Sequence, residues 1–263
     1  MDLGLRGRIA LVAAASKGLG RAVAEELAAE GAKLAICSRD AEAIERVGHE
    51  IARASGVEVL AKACDLSRPA EIAAFADATL ARFGRVDILL TNSGGPPGGR
   101  FESMDAGEWR SATELVLYGP IELTRRVLPG MKERRWGRIL NVTSIAVKQP
   151  VENLMLSNSL RAAVTGWART LANEVAAFGV TVNNLMPGYT RTERVEELAH
   201  VVAKREGITP EKAVTRWERE IPLGRLAEPR EFAALAAFLA SERASYITGQ
   251  SIAVDGGWIK ALL

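Results

Sequence analysis

Residues 13–20 have the composition of a phosphate-binding loop. The segment reads Ala-Ala-Ala-Ser-Lys-Gly-Leu-Gly; it follows an apolar run and precedes a stretch with helical periodicity. The first N–H groups of a helix have no partner inside it, and the helix dipole favours an anion there. Gly18 and Gly20 would let a pyrophosphate approach the backbone closely. The segment also fits an ordinary strand-to-helix turn, because two glycines alone are weak evidence.

Two cations near this loop bear on which dinucleotide it would take. A site for NAD places an acidic residue at the end of the second strand, on the 2′-hydroxyl of the ribose. Here that position holds Ser38, and Arg39 follows it. Arg39 and Lys17 could both bind a 2′-phosphate, so the sequence favours NADP(H) over NAD(H). The alternative is that both are solvated surface cations.

Short apolar runs alternate with amphipathic segments along the whole chain. Runs such as residues 9–13 (IALVA) lack polar–apolar alternation, which indicates strands covered on both faces. The predicted strands are residues 8–13, 33–38, 57–62, 86–91, 138–143, 181–186 and 251–254, and the predicted helices are residues 18–31, 40–54, 68–84, 107–134, 156–178 and 229–241. This alternation predicts one α/β domain over residues 1–263, a Rossmann-type doubly wound parallel sheet of about seven strands with helices on both faces.

Two segments interrupt the alternation, residues 92–101 and residues 189–223. Both follow the carboxyl ends of predicted strands, where open α/β sheets bind ligands. We expect residues 189–223 to form a flap over the substrate. The apolar residues of that segment either cover an apolar substrate or pack as ordinary core: Val195, Leu198, Val201, Val202, Val214 and Trp217.

Composition excludes several classes of protein. The chain has 263 residues, 48% hydrophobic and 25% charged, which is typical of a globular protein and excludes intrinsic disorder. The net charge is only +2 and no basic stripe appears, so we expect no nucleic-acid partner. No apolar run approaches the roughly 18 residues of a membrane span, and no apolar leader is visible, so a cytoplasmic protein is expected. Cys37 and Cys64 are expected to be buried free thiols, and no metal-binding motif occurs.

Several further short segments follow the phosphate-binding loop in sequence, in an order typical of a known family. They are Asp65-Leu66, Asn92-Ser93-Gly94-Gly95, Asn183 with Pro187-Gly188 and Thr190, residues 246–250 (YITGQ) and residues 254–257 (VDGG). Together with the loop they resemble the short-chain dehydrogenase/reductase family, especially its 3-oxoacyl-[acyl-carrier-protein] reductases. The resemblance implies cofactor contacts from Ala14, Ser16, Lys17, Gly18, Leu19, Gly20, Arg39, Asp65, Leu66, Asn92, Ser93, Gly94, Arg161, Pro187, Gly188 and Thr190. It also implies a homotetramer assembled through the long helices, with Ala162, Ala163 and Ala172 allowing close approach.

The chain departs from the family at the catalytic positions. The family uses a Ser to bind the substrate oxygen, a Tyr as proton donor, a Lys that lowers the pKa of the Tyr, and an Asn that organises a water relay. Ser144 keeps the first role, but the other three positions hold Ser157, Arg161 and Val116. The family's Thr and first Gly in the phosphate loop are also replaced, by Ala13 and Ala14. An aliphatic hydroxyl is far less acidic than a phenol, so the proton donor is left open.

Four side chains are candidates to replace the missing acid. Lys148 and Glu152 lie on the segment after Ser144, Tyr118 lies close to Val116, and Tyr189 follows Pro187-Gly188. Each could equally be a surface or packing residue. Asn158 and Ser159 either hydrogen-bond substrate or cap a helix.

Three functions fit these observations. The first is an NADP(H)-dependent oxidoreductase that transfers hydride to or from a ketone, secondary alcohol or acyl thioester, with Ser144, Ser157 and Arg161 in its catalytic site. The second is an NADP-binding protein without redox turnover, either regulatory or inactive. The third is a lyase or isomerase on the same fold, because fold does not determine function.

Overall fold

Seven parallel strands form one sheet in the computed structural model, which describes residues 2–262. The strands are β1 (Ile9–Val12), β2 (Lys33–Ser38), β3 (Val59–Ala63), β4 (Ile88–Thr91), β5 (Gly137–Val142), β6 (Val180–Pro187) and β7 (Ser251–Val254). Their order across the sheet is β3-β2-β1-β4-β5-β6-β7, and every neighbouring pair is parallel. The predicted sheet is confirmed, although β3 and β4 each begin two residues later than expected.

Helices cover both faces of the sheet. They are α1 (Gly18–Ala29), α2 (Ala41–Ser55), α3 (Pro69–Phe83), α4 (Ala106–Thr113), α5 (Gly119–Glu133), α6 (Met155–Val175), α7 (Glu193–Glu206), α8 (Pro210–Glu220) and α9 (Pro229–Ala240). Along β1, Ala10 and Val12 pack with α1, α2 and α9, whereas Leu11 packs on the opposite face with α3, α5 and α6. Because successive side chains of a strand point to opposite faces, continuous apolar runs are buried on both sides.

The strand order reverses between β1 and β4, which are neighbours in the sheet although two strands lie between them in sequence. At such a point the connections leave β1 and β4 toward opposite faces, so a crevice opens at the carboxyl ends of the strands. The two loops that follow β1 and β4 therefore face each other across this crevice.

The predicted helix over residues 107–134 is interrupted. A π-helical turn over Glu114–Tyr118 separates α4 from α5. Pro120 has no N–H to donate to the carbonyl four residues earlier, so a regular α-helix cannot run through this turn. Gly119 also packs tightly against the chain after β3, since a Cβ there would lie 2.5 Å from the carbonyl oxygen of Leu66.

Residues 189–223 contain two helices, α7 and α8, packed against each other around Ala199, Ala213 and Trp217.

Cys37 and Cys64 are both buried and free, as the sequence predicts. Among residues 2–262, no cluster of three or more His, Cys, Asp and Glu is arranged to hold a metal ion. None of the helices described has both the length and the apolar character needed to cross a membrane.

Candidate active site

A cavity of about 380 Å³ lies in the crevice at the carboxyl ends of the central strands. Its wall includes most residues that the sequence assigns to cofactor or catalysis: Ala14, Lys17, Gly18, Leu19, Arg39, Asn92, Gly94, Ser144, Ser157, Arg161, Pro187, Gly188 and Thr190. Five expected cofactor residues do not line it, namely Ser16, Gly20, Asp65, Leu66 and Ser93. The structure thus gathers residues from six separated segments, and their individual roles stay predictions.

The loop between β1 and α1 leaves the first turn of α1 open to a ligand. Lys17 precedes the helix in an extended conformation, and no side chain of the described residues caps the helix start. Gly18 has a φ of +58°, and a Cβ at Gly20 would overlap the carbonyl oxygen of Ala14, so both glycines are required by the geometry. The uncapped N–H groups fit a dinucleotide pyrophosphate at this position.

Ala14 adopts the left-handed conformation that favours glycine, with a φ of +50°. The turn is held by the amide of Asn92, whose Nδ2 donates to the carbonyl oxygen of Ala14 at 3.3 Å, and by the N–H of Ala15, which donates to the carbonyl oxygen of Cys37. The loop therefore keeps its shape despite the alanine, at the cost of local backbone strain.

Lys17 and Arg39 both lie at the wall of the cavity. Lys17 forms an ion pair with Glu193 at the start of α7, and this hydrogen bond raises the pKa of Lys17 above its usual value. Ser38 is buried, and its hydroxyl donates to the carbonyl oxygen of Asp40 at 2.9 Å. No acidic side chain therefore ends β2, and a role of the two cations in binding a 2′-phosphate stays a prediction.

Asp65 lies outside the cavity wall. Its carboxylate accepts hydrogen bonds from the backbone N–H of Ser67 at 2.9 Å and from the hydroxyl of Ser67 at 2.8 Å. These bonds hold the turn that leads into α3. Ser67 does not cap that helix, since Arg68 occupies the cap position and Pro69 begins the helix.

Arg161 connects three elements at the buried end of the cavity. Its Nε donates to the hydroxyl oxygen of Ser157 at 3.2 Å, Nη1 to the carbonyl oxygen of Val142 at 2.6 Å, and Nη2 to that of Gly94 at 2.5 Å. Burial, together with the nearby charge of Arg194, lowers the pKa of Arg161 to about 10. The guanidinium thus stays charged at neutral pH while it joins α6 to the ends of β4 and β5.

Two hydroxyl groups line the cavity beside this guanidinium. Ser144 accepts a hydrogen bond from the N–H of Ala146 at 3.1 Å, and Ser157 accepts one from Arg161. In both cases the oxygen serves as an acceptor, so the hydroxyl hydrogen is left to donate to a ligand. Ser144 and Ser157 can therefore both donate to a carbonyl oxygen.

The position where the family carries an Asn is apolar and buried. Val116 lies in the π-helical turn and packs with Ala112, Leu156 and Leu160. A valine offers no donor or acceptor to order a chain of water molecules. A proton path of the family type therefore has no polar group here.

Of the four candidate acids, only Tyr189 reaches the cavity wall. Tyr118 is 54% exposed, and Lys148 and Glu152 are also exposed to solvent. Tyr189 stacks on Trp217 with ring centroids 4.8 Å apart, and burial next to Glu220 raises the pKa of its phenol to about 12. Such a phenol is a weaker acid than ordinary tyrosine, so Tyr189 is better suited to forming an apolar wall.

The apolar residues of the flap fall into three groups. Val195 and Leu198 line the cavity. Val202, Val214 and Trp217 pack inside the α7–α8 pair, and Val201 is 61% exposed. Packing as core is thus confirmed for Val202, Val214 and Trp217, whereas covering an apolar substrate stays a prediction for Val195 and Leu198.

Sequence reasoning missed several residues of the wall. They are Gly95, Pro96, Val142, Thr143, Ile145, Val151, Leu154, Thr192, Glu193, Arg194 and Glu197. The only available signal was position, because all of them follow the carboxyl end of a predicted strand or lie at it. Which side chains of a helix inserted there face inward depends on its packing, and a local pattern does not give that.

Comparison with known proteins identifies the family. The family model described as Enoyl-(Acyl carrier protein) reductase matches residues 13–259. The chain is 34% identical over 255 residues to 3-oxoacyl-[acyl-carrier-protein] reductase FabG of Vibrio cholerae, covering 97% of this chain and 98% of that protein. It is 33% identical over 256 residues to NADPH-dependent reductase BacG of Bacillus subtilis, covering 97% and 99%.

The fold of this chain also matches the solved structures of reductases. The crystal structure of L-sorbose reductase from Gluconobacter frateurii, complexed with NADPH and L-sorbose, superposes with a TM-score of 0.95 at 32% identity and covers 100% of both chains. The crystal structure of a single-residue variant of actinorhodin polyketide ketoreductase with NADPH has a TM-score of 0.93 at 32% identity, covering 97% of this chain and 98% of that one. The fold, the order of its segments and these matches together establish that the chain belongs to the short-chain dehydrogenase/reductase family of oxidoreductases and resembles 3-oxoacyl-[acyl-carrier-protein] reductases.

Proposed function

We propose that this chain is an NADPH-dependent carbonyl reductase in which Ser157 and Arg161 replace the family's Tyr and Lys. The observation that carries the proposal is the hydrogen bond from Arg161 Nε to Ser157 Oγ, 3.2 Å long, at the wall of the cavity. A carbonyl compound, either a ketone or an acyl thioester, is the expected substrate class. The cytoplasmic location expected from the sequence stays a prediction.

NADP(H) is favoured as cofactor by residues of this chain and by its relatives. Lys17 and Arg39 lie at the wall, and no acid ends β2. The relatives named as NADPH-dependent, or solved with NADPH, share about a third of their residues with this chain. The uncapped start of α1 would hold the pyrophosphate, and Arg161 is the candidate for the ribose of the nicotinamide.

When bound, NADPH would be the source of the hydride that the carbonyl carbon receives. Ser144 and Ser157 donate hydrogen bonds to the carbonyl oxygen, and Ser157 gives its proton as that oxygen gains charge. The charged Arg161 stabilises the serine oxygen that is left, because a hydrogen bond from a buried cation is stronger than one from a neutral donor. A positioned general acid contributes about 10²- to 10⁴-fold in rate, and we expect this pair to supply the lower part of that range.

A second candidate is an NADP-binding protein without turnover. It is favoured by Val116, which leaves the site without a polar relay, and by the bonds of Arg161 to two backbone carbonyls. Such a protein would bind the cofactor and reduce nothing. A lyase or isomerase has no specific observation in its favour.

Cofactor titration followed by a substrate panel separates these candidates. We expect NADPH to bind more tightly than NADH by fluorescence enhancement, and Arg39→Ala to remove most of the difference. With NADPH bound, we expect slow reduction of at least one member of a panel of ketones, 3-oxoacyl thioesters and quinones. Binding without any turnover would favour the second candidate, and binding of neither nucleotide would contradict both.

Two variants test the proton donor. Ser157→Ala should lower kcat about tenfold or more with NADPH affinity unchanged, because the general acid is lost. Ser157→Tyr combined with Arg161→Lys should raise kcat above wild type, since it restores the phenol and amine of the family. NADPH binding by each variant serves as the folding control. Equal rates for wild type and Ser157→Ala would show that another group donates the proton.

A further inference from the structure

The end of the cavity beside Ser157 carries a buried positive charge with no acidic partner among the described residues. Arg161 is 7% exposed, and its three hydrogen bonds all go to neutral oxygens, those of Gly94, Val142 and Ser157. A guanidinium has five N–H groups, so two of them find no acceptor among residues 2–262. Among those residues, no carboxylate lies within 4.0 Å of its nitrogens. A charge taken out of water in this way is costly unless an anion or a strong acceptor joins it.

A second guanidinium contacts the loop after β4, to which Arg161 is bonded at Gly94. Arg194, in the first turn of α7, donates from Nη2 to the carbonyl oxygen of Pro96 at 2.9 Å and lies against the Cα of Gly95. Its one acidic contact within the described part of the chain is Glu197 at 3.4 Å, and both side chains are partly exposed, at 41% and 58%. An exposed pair of this kind contributes little, so it leaves Arg194 available to a ligand.

The charge of Arg194 acts on Arg161. The charge of Arg194 contributes to lowering the pKa of Arg161, after burial as the larger cause. The other acid at the wall, Glu193, is paired with Lys17 at the phosphate loop. Two like charges on one wall repel each other. An anion bound in the cavity beside both of them would reduce this electrostatic repulsion.

We propose that Arg194, in the field of Arg161, binds the carboxylate of the substrate, which is therefore an oxo acid. This inference rests on the proposed function and names its substrate class. The ketone lies at Ser144 and Ser157, and the carbon chain lies against apolar residues of the wall: Ile145, Val151, Leu154 and Leu198. Hydride adds to the ketone carbon and one proton adds to its oxygen, so the product is the hydroxy acid and NADP⁺.

The same chemistry has a second source. The pyrophosphate of the cofactor is also an oxyanion, and a guanidinium that reached it would serve cofactor binding instead of substrate choice. The two sources predict different losses when Arg194 is removed. If Arg194 binds a substrate carboxylate, its removal lowers kcat/KM for oxo acids alone. If it binds the pyrophosphate, its removal weakens NADPH binding whichever substrate is used.

The test compares oxo acids with their methyl esters. 4-Methyl-2-oxopentanoate and 3-oxohexanoate, each beside its methyl ester, are assayed with NADPH and the full-length chain. We expect kcat/KM for at least one acid to exceed that for its ester by tenfold or more. Arg194→Gln should lower kcat/KM for that acid about 10- to 100-fold, because a charged hydrogen bond is lost, and leave the ester within twofold. The dissociation constant of NADPH should not change.

Arg191→Gln is the matched control. Arg191 lies three residues earlier, contacts Glu228 and Glu218, and is not part of the wall, so its removal should leave all four rates unchanged. Equal kcat/KM for acids and esters in the wild type would overturn the proposal. A parallel loss of NADPH affinity in Arg194→Gln would overturn it as well, in favour of the pyrophosphate.

A binding measurement distinguishes failure of the carboxylate site from failure of the proposed reductase function. If NADPH binds but no compound is reduced, the proposed reductase function fails. The carboxylate site is then tested by measuring equilibrium binding of the oxo acid to the NADPH complex. Quenching of bound NADPH fluorescence by an oxo acid, absent with its ester and lost in Arg194→Gln, would support the site. No binding of either oxo acid to the NADPH complex would overturn it.

Discussion

Arg161 occupies a position where a lysine would act as a flexible point charge. The guanidinium is planar and holds three oxygens at once, so it fixes the ends of β4 and β5 relative to α6. Its pKa, lowered by burial to about 10, still lies well above neutral pH, so the side chain stays charged while these three oxygens accept its hydrogen bonds. At this residue, one substitution changes both the proton chemistry and the rigidity of the cavity.

The pH dependence of kcat should reveal the loss of the charge on Arg161. Burial lowers the pKa of Arg161 to about 10, so its charge, and with it the support for Ser157, is lost as pH rises through that value. We expect kcat at saturating NADPH to be flat near neutrality and to fall with an apparent pKa near 10. A fall about two pH units higher would instead implicate Tyr189, whose pKa is raised to about 12.

Ala14 carries strain that glycine would remove. Its φ of +50° costs an L-residue roughly 1–2 kcal/mol, and the greater freedom of glycine in the unfolded chain offsets part of the gain. We expect Ala14→Gly to raise the free energy of unfolding by about 0.5–1 kcal/mol, and Tm by about 1–3 °C, in thermal denaturation.

Ala15→Gly is the control for that substitution. Ala15 is fully buried and lies outside the left-handed region, so the same change there should destabilise the protein. A loss of stability in both variants would show that the conformation of Ala14 carries no strain.

At the scale of elements, one aromatic contact holds the flap together and a second joins it to the body. Tyr189 stacks on Trp217 of α8 and packs edge-on against Trp258, with centroids 6.1 Å apart. Trp217 also forms the core between α7 and α8, where it is 8% exposed. Removing it should therefore loosen both helices together.

Trp217→Ala should cost about 3–5 kcal/mol of packing within the flap, an effect confined mainly to residues 189–223. We expect faster proteolytic cleavage inside this segment and a higher KM for the carbonyl substrate, because the wall that α7 supplies would no longer be held in place. Val201→Ala, at a position 61% exposed, should change neither. Unchanged proteolysis in Trp217→Ala would mean that the flap is held by other contacts.

The elements themselves could be predicted from the sequence, whereas the direction of many side chains could not. Continuous apolar runs mark β1 and β4 because both faces of the sheet are covered, and the order of strands and helices then determines where the crevice opens. Arg194 gave no such signal, because a polar helix in an insertion can present any face to the cavity. Tyr118 is exposed at the end of the π-helical turn, which its position close to Val116 in the sequence does not indicate.

At the scale of the whole molecule, we propose the homotetramer that the family resemblance implies. The outer side of α6 presents small exposed residues, Ala162, Ala163 and Gly166, and, apart from the adjacent residues and backbone of α6 itself, no atom of the described residues lies within 4 Å of a Cβ built at Gly166. The expectation for Ala172 was wrong, because it is buried in the core against the sheet. Helices with such small residues can approach closely, which makes α6 the expected contact between copies.

Gly166→Arg tests this contact without weakening the helix. Arginine has a higher helix propensity than glycine by roughly 0.5–1 kcal/mol, so the subunit should fold at least as well, while its long charged side chain would block close approach of a second α6. We expect light scattering to give about four times the 28.2 kDa chain mass for the wild type and a smaller assembly for the variant. Ala54→Arg, at an exposed position on α2, should leave the mass unchanged. A monomer mass for the wild type would contradict the proposed tetramer, whereas an unchanged mass for Gly166→Arg would place the contact elsewhere on the molecule.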